Sequence, residues 1–296
     1  MDKGIRLILF TALVSGFSIF LNSWAVKGFD SSVFTFSKNL LVALLLSAVL
    51  LGIGMRDQLM RLKAGQWRQL MLIGLVGGSI PFLLFFKGLQ MTTGSTAGFI
   101  HKTLFLFATL FAVLFLRERW DWRLGTGMAL LLGGTYLFIR PDFAWSAGHW
   151  LVLAATLLWA AENAIAKRTL QSMPGTIVAW GRMSFGVLFM LPFLTASGKI
   201  GLITAMSSAQ WAWIGITSAL LFLYVFSFYN GLASVRLSTA TAILTLGAPI
   251  TALLQAAYFG TAIAPSQALG MLLLLAGVML VAWLPMVRLD TAEWSA

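Results

Sequence analysis

Lys87-Gly88-Leu89 precedes Gly94-Ser95-Thr96-Ala97 in the first half of the chain, and Asn230-Gly231-Leu232 precedes Leu237-Ser238-Thr239-Ala240 in the second. Other residues repeat at nearly the same offset, about 143–145 positions. Gly127, Met128 and Gly134 match Gly270, Met271 and Gly277, Lys38 matches Arg182, and Ser18 matches Asn163. The chain therefore reads as two copies of one unit. The expected units are residues 1–143 and 144–286, with a cytoplasmic tail at 287–296.

The solvent for these units follows from composition. Of 296 residues, 59% are hydrophobic and 10% charged, with mean hydropathy +0.91. A soluble domain carries about 25% charged residues. There is too little polar sequence to cover a soluble surface, and too much apolar sequence for disorder. Apolar runs of about 20 residues cross a bilayer as helices. Ten such runs are present, near 5–25, 32–54, 69–90, 95–116, 122–139, 148–168, 176–197, 210–231, 238–260 and 266–285. Period-two alternation is absent, which excludes a β-barrel pattern. Basic residues before the first run and Ser23-Trp24-Ala25 after it mimic a cleaved signal peptide. The nine further runs, and the partner of this run in the second half, favour a retained span.

Five spans per unit is an odd number, so the second unit enters the membrane upside down. The expected fold is an all-α integral membrane protein, ten transmembrane helices as two inverted five-helix repeats. Such repeats are a transporter signature, with the substrate site near midplane between the halves. Lys and Arg set orientation. With the N-terminus inside, thirteen fall in inside segments, against Lys27, Arg140 and Lys199 outside. Both termini are thus expected in the cytoplasm.

No cysteine and only two histidines, His101 and His149, exclude thiolate or histidine-rich metal sites. The phosphate-cradling G-x-x-x-x-G-K-[ST] loop is absent, so ATP is not the direct energy source. No catalytic set assembles, so an enzyme is not expected and no cofactor is called for. A lipid-modifying enzyme would need a clustered catalytic set at one interface. The cations punctuate apolar runs instead of forming a patch, which argues against nucleic acid.

Ionisable groups inside spans are costly and face a cavity or a partner. Lys38, Lys87, Lys102, Glu162 and Arg182 are such groups, joined by His101. Glu162 lies ten residues before the turn near 172 and Arg182 ten after it, so the two should meet at one depth as an ion pair. That pair is either a packing clamp or a gate or coupling site. Lys38 and Lys102, where they face the central cavity rather than snorkel, make an electropositive vestibule, which attracts anionic groups. Lys87 either joins them or snorkels. His101 points about 100° away from Lys102 on a helix and reads as a packing or hydrogen-bonding residue. Phe82, Phe85, Phe86, Phe222, Tyr224, Phe228 and Tyr229 either line the cavity or simply pack. Gly127 and Gly134 share one helix face, as do Gly270 and Gly277, which suits scaffold or dimer contacts. Pro249 removes a helical hydrogen bond and suits a hinge.

Four stretches carry a family likeness. They are Trp159-Ala160-Ala161-Glu162-Asn163; the paired basic residues Lys38 and Arg182; Gly94 to Glu118, ending Leu116-Arg117-Glu118-Arg119; and Leu246-Gly247-Ala248-Pro249. Together they resemble the drug/metabolite transporter superfamily, EamA-type permeases, over nearly the whole chain. The fourth span departs by lacking a proline after its small-residue start, and Thr261 stands where Glu118 would repeat. The resemblance implies a secondary transporter of the inner (plasma) membrane that exports a small metabolite by alternating access. An amino acid or organic acid suits the intramembrane cations; a hydrophobic drug or cation is the alternative. The expected substrate-binding residues are Lys38, Lys102, Arg182, Asn163, Trp159 and Tyr224. Glu162, Arg182 and Pro249 are the expected coupling or gating residues. The expected partners are the substrate, the bilayer and a proton or counter-substrate; monomer and homodimer are both compatible.

Overall fold

Hydrocarbon offers a backbone no hydrogen-bond partners, so each crossing segment must satisfy itself as a helix. The computed structural model describes residues 2–25, 28–92, 94–141 and 146–282. The expected boundary at 143/144, the tail at 287–296, and Lys27 all lie outside the described residues. The first repeat holds α1 (Lys3–Ala25), α2 (Ser31–Gly52), the short α3 (Arg56–Met60), α4 (Ala64–Gly78), α5 (Ile80–Gln90), α6 (Gly94–Lys102), α7 (Leu104–Leu116) and α8 (Trp122–Ile139). The second holds α9 (Ala147–Thr169), α10 (Gly175–Ala196), the short α11 (Gly201–Thr204), α12 (Ser208–Leu232), α13 (Leu237–Leu244), α14 (Gly247–Phe259) and α15 (Pro265–Ala282). Helix pairs α4–α5, α6–α7 and α13–α14 each make one span, giving two inverted repeats of five. Among the described residues, nine spans are long and apolar enough to cross a membrane by length and composition. The other is α8, whose Arg123 and glycines 125, 127, 133 and 134 dilute its hydropathy.

Three of the spans are broken, whereas only the ninth, at Pro249, is expected from sequence to lose a helical hydrogen bond. The ninth gives way at Thr245 and Leu246, four residues before Pro249. Proline has no N–H to offer the carbonyl four residues back. The Thr245 carbonyl instead accepts from Ala248 N (3.1 Å), in a tightened turn. The fourth span breaks at the matching place without a proline. There the Thr103 hydroxyl donates to the Ile100 carbonyl (2.6 Å).

Helices in lipid associate where backbones approach closely or polar groups tie them. The repeats exchange partners: α1 packs on α12 and α14, α9 packs on α5 and α7, and α8 packs on α15. At one end of the bundle, here termed proximal, α1 begins. A Cβ on Gly4 would sit 3.0 Å from the Gly231 carbonyl. At the other, distal end, a Cβ on Gly148 would sit 2.7 Å from the Gly88 carbonyl. The same close approach thus occurs once at each end, as inversion requires. Between α8 and α15, Gly134 meets Gly270 and Gly127 meets Gly277. These glycines are spent on a scaffold within the chain.

Two polar ties bind the repeats together. At the proximal end Glu118 accepts from Leu237 N (2.6 Å), Ser238 N (3.3 Å) and Ser238 Oγ (2.5 Å). A carboxylate at a helix start complements the dipole of α13. Arg236 Nε lies 3.5 Å from the same carboxylate, and Arg236 Nη2 donates to the Arg119 carbonyl (2.9 Å). Nearby, Lys167 Nζ donates to the carbonyls of Leu232 (2.7 Å) and Ala233 (3.2 Å) at the end of α12. At the distal end Lys199 Nζ lies 2.8 Å from Asp30, which also caps α2 by accepting from the amides of Ser32 and Val33. Partial burial disfavours the Asp30 carboxylate, but Lys199 and the two amides outweigh it and hold its carboxyl below the usual range.

Replacing Glu118 by alanine leaves the α13 amides and Arg236 uncompensated, so it should cost about 3 kcal/mol, the scale of a broken buried ion pair. A lowered melting temperature in detergent checks this, and unchanged melting refutes it. The lowered Asp30 pKa means its stabilisation is complete above the unfolded value of about 3.9. It is lost as pH falls through the lower, folded value. Asp30→Asn should therefore flatten the acid limb of a melting-temperature profile below about pH 4.

Candidate substrate site

Pro81 is the second residue of α5 and has no backbone N–H. The carbonyl it would have served in a continuous helix is that of Gly77. Two side chains from the other repeat take that carbonyl instead. Trp159 Nε1 on α9 donates to it at 3.0 Å, and Arg182 Nη2 on α10 donates to it at 3.0 Å. The next carbonyl, Gly78 O, accepts from Asn39 Nδ2 on α2 (3.4 Å). The two carbonyls just ahead of the break at Ser79 are thus satisfied by polar side chains, and irregular backbone at membrane depth must find such partners inside the protein.

The ion pair expected from hairpin spacing forms here. Arg182 Nε lies 3.9 Å from Glu162 Oε1, and Tyr229 Oη donates to the same oxygen at 2.5 Å. Glu162 is 2% exposed and Arg182 12%, so the contact excludes bulk water. Arg182 Nε has no hydrogen-bond partner among the described residues. The guanidinium is held by Gly77 O and lies over the Phe82 ring at 6.0 Å. Gly77 faces Glu162 so closely that an added Cβ would collide with its Cγ and lie 2.7 Å from its Cδ.

Trp159 packs edge-on to Phe82 (5.2 Å between centroids) and to His101 (4.9 Å), and also touches Phe85 (5.6 Å). Broken spans three and four therefore meet at this indole. Tyr224 stacks on Phe228 (6.0 Å), which touches Tyr229 (5.2 Å), so it borders the site through Glu162's partner. Asn163 follows Glu162, is 7% exposed and makes no hydrogen bond among the described residues.

Lys38 is buried on α2. Its Nζ donates to Asn22 Oδ1 (3.0 Å) and lies 4.8 Å from the Phe34 centroid, so both its neighbours are neutral. Lys102 ends α6 and has no ion-pair or hydrogen-bond partner among the described residues. Lys87 is exposed on the last turn of α5. Pro249 lies beyond the break in the ninth span, apart from the Arg182 cluster in every contact described. The sequence reading missed the Gly77 carbonyl and the role of Tyr229 at Glu162. Pro81 within an apolar run was the available signal for the first.

A family model described as the EamA-like transporter family matches residues 2–140 and again 146–283. The chain belongs to the EamA-like transporter family. Like the resemblance read from its motifs, this places it in the drug/metabolite transporter superfamily over its whole length. This EamA-like chain is 28% identical over 271 residues to a protein of Streptantibioticus cattleyicolor named a probable terminal-alkyne amino-acid exporter, across 88% of this chain and 85% of that one. It is 32% identical over 114 residues to an uncharacterized transporter of Methanothermobacter thermautotrophicus, across 36% of this chain and 33% of that one. A solved structure, titled a crystal structure of a protein, superposes with TM-score 0.76 at 18% identity, covering 94% of this chain and 98% of that one. That likeness is one of fold. The EamA-like chain is a multi-pass membrane transporter.

Gly77→Ala should break the Glu162–Arg182 contact without removing either charge. Substrate exchange in proteoliposomes should fall at least tenfold while the protein stays monodisperse in detergent. Exchange within twofold of wild type would show that this contact is incidental.

Proposed function

We propose that the chain exports a small metabolite bearing an anionic group, an amino acid or organic acid, from the cytoplasm. The carrying observation is the cation balance of the broken-helix region. Arg182 shares one buried carboxylate, while Lys38 and Lys102 have no acidic partner among the described residues. A desolvated cation without a counter-ion is held at a cost that an anionic substrate offsets. The relative's name, an amino-acid exporter, agrees with this class.

In this reading the units 1–143 and 144–286 rock about the Arg182 cluster in alternating access. Trp159, Asn163 and Tyr224 flank the substrate, and Lys38, Lys102 and Arg182 hold its anionic group. Glu162 couples transport by exchanging its Arg182 contact with a substrate carboxylate, taking up a proton when the arginine is occupied. Pro249 gives the ninth span its hinge. The excess of Lys and Arg at the proximal end supports a cytoplasmic placement for it, with both termini inside and the protein in the inner (plasma) membrane.

Counterflow in proteoliposomes tests this with neutral amino acids, dicarboxylates, phosphorylated metabolites and lipophilic cations. Uptake of an anion-bearing class is expected, reduced about tenfold by Lys102→Ala, or ~1.4 kcal/mol of lost interaction. Uptake of lipophilic cations alone, indifferent to Lys102→Ala, would replace the proposal with a drug exporter on the same fold.

A further inference from the structure

His101 stands on the last turn of α6, two residues before the break at Thr103. Its ring is wedged between Trp159 (4.9 Å, 66°) and Phe85 (5.3 Å, 59°). Its Nδ1 is buried and has no hydrogen-bond partner among the described residues. A buried polar atom left unpaired costs about 1–3 kcal/mol, and native structures keep few of them. Neither flanking ring offers a free donor. Phe85 has none, and the indole N–H of Trp159 is committed to the Gly77 carbonyl. The next residue, Lys102, is likewise without a partner among the described residues.

The chemistry of this corner selects a ligand. With the ring proton on Nε2, His101 Nδ1 is an acceptor. An acceptor set between two aromatic rings favours an ammonium group, which donates N–H and is attracted to ring faces. Lys102 beside it favours a carboxylate. So does Arg182, whose Nη2 shares the Gly77 carbonyl with Trp159. One small molecule that satisfies both preferences is a 2-amino acid, whose charges sit on adjacent carbons. An organic acid without the amine leaves Nδ1 unpaired, and sites built to bind a donor group reject analogues that lack it.

We infer that His101 is a specificity-determining residue: it reads the substrate's ammonium group and separates a 2-amino acid from the deaminated acid of the same skeleton. This rests on the anionic-substrate reading above and narrows it to zwitterions.

The test is competition in proteoliposome exchange, using matched pairs: leucine with 4-methylpentanoate, and phenylalanine with 3-phenylpropanoate. The readout is the ratio of half-inhibitory concentrations within one preparation, so differences in protein yield cancel. Wild type should favour the amine-bearing member at least tenfold. His101→Phe should bring the ratio near one by weakening the amino acid, with the acid unchanged. His101→Asn, whose amide oxygen reaches the Nδ1 position, should keep the preference. His101→Gln, whose amide reaches the Nε2 position, should lose it; this pair carries the test if the phenylalanine variant fails to fold. A ratio unchanged in His101→Gln, or in His101→Phe where that variant folds, overturns the inference and leaves anion export standing. A wild type that is inhibited by neither member of any pair also overturns the inference, while the counterflow panel above decides the anionic reading separately.

Discussion

Pro81 has no N–H, and the bilayer offers no water to replace it, so the Gly77 carbonyl must find a donor inside the protein. It finds two, Trp159 Nε1 and Arg182 Nη2, each at 3.0 Å. Both belong to the second repeat, while Gly77 belongs to the first. One missing backbone hydrogen bond therefore positions the indole and the guanidinium and holds the repeats in register where the third span is interrupted. Glu162 follows, because a buried guanidinium needs a counter-charge. Tyr229 follows Glu162, donating to the carboxylate oxygen that faces Arg182. Gly77 itself must lack a side chain, since any Cβ would occupy the space of Glu162.

Around this point the architecture is nearly symmetric, and its departures from symmetry are informative. The close approach of Gly4 to Gly231 at one end repeats as Gly148 to Gly88 at the other. The fourth and ninth spans break at matching places, one through Thr103 and one ahead of Pro249. The third span breaks at Ser79, whereas its counterpart α12 runs unbroken from Ser208 to Leu232. Glu118 ties α7 to the start of α13, whereas its counterpart Thr261 is exposed. The break at Ser79 and the charged tie thus both rest on residues of the first repeat that the second does not duplicate.

Much of this was legible from sequence because lipid simplifies the rules. A span announces itself by twenty apolar residues, an inverted repeat by an odd count and a constant offset, and a charge within a span by its cost. The Glu162–Arg182 contact was readable because two helices joined by a short turn place residues equidistant from it at one depth. Lys38 and Lys102 were readable as cations out of place. That Lys38 leans on Asn22 and Phe34 was not, since α1 and α2 can pack in several rotations with the same hydropathy.

Sequence alone determined the solvent, the number and topology of the spans, the pseudo-symmetry and the charges that needed explanation. These are properties of single segments and their order, fixed by hydrogen-bond satisfaction and apolar transfer. Tertiary structure decided which groups answer one another: that the orphan carbonyl is Gly77's, that Trp159 and Arg182 share it, that Tyr229 holds Glu162, and that buried His101 Nδ1 has no partner among the described residues. Those partners lie dozens of residues apart along the chain. Close packing of glycine-lined helices, not local pattern, brings them within hydrogen-bonding distance.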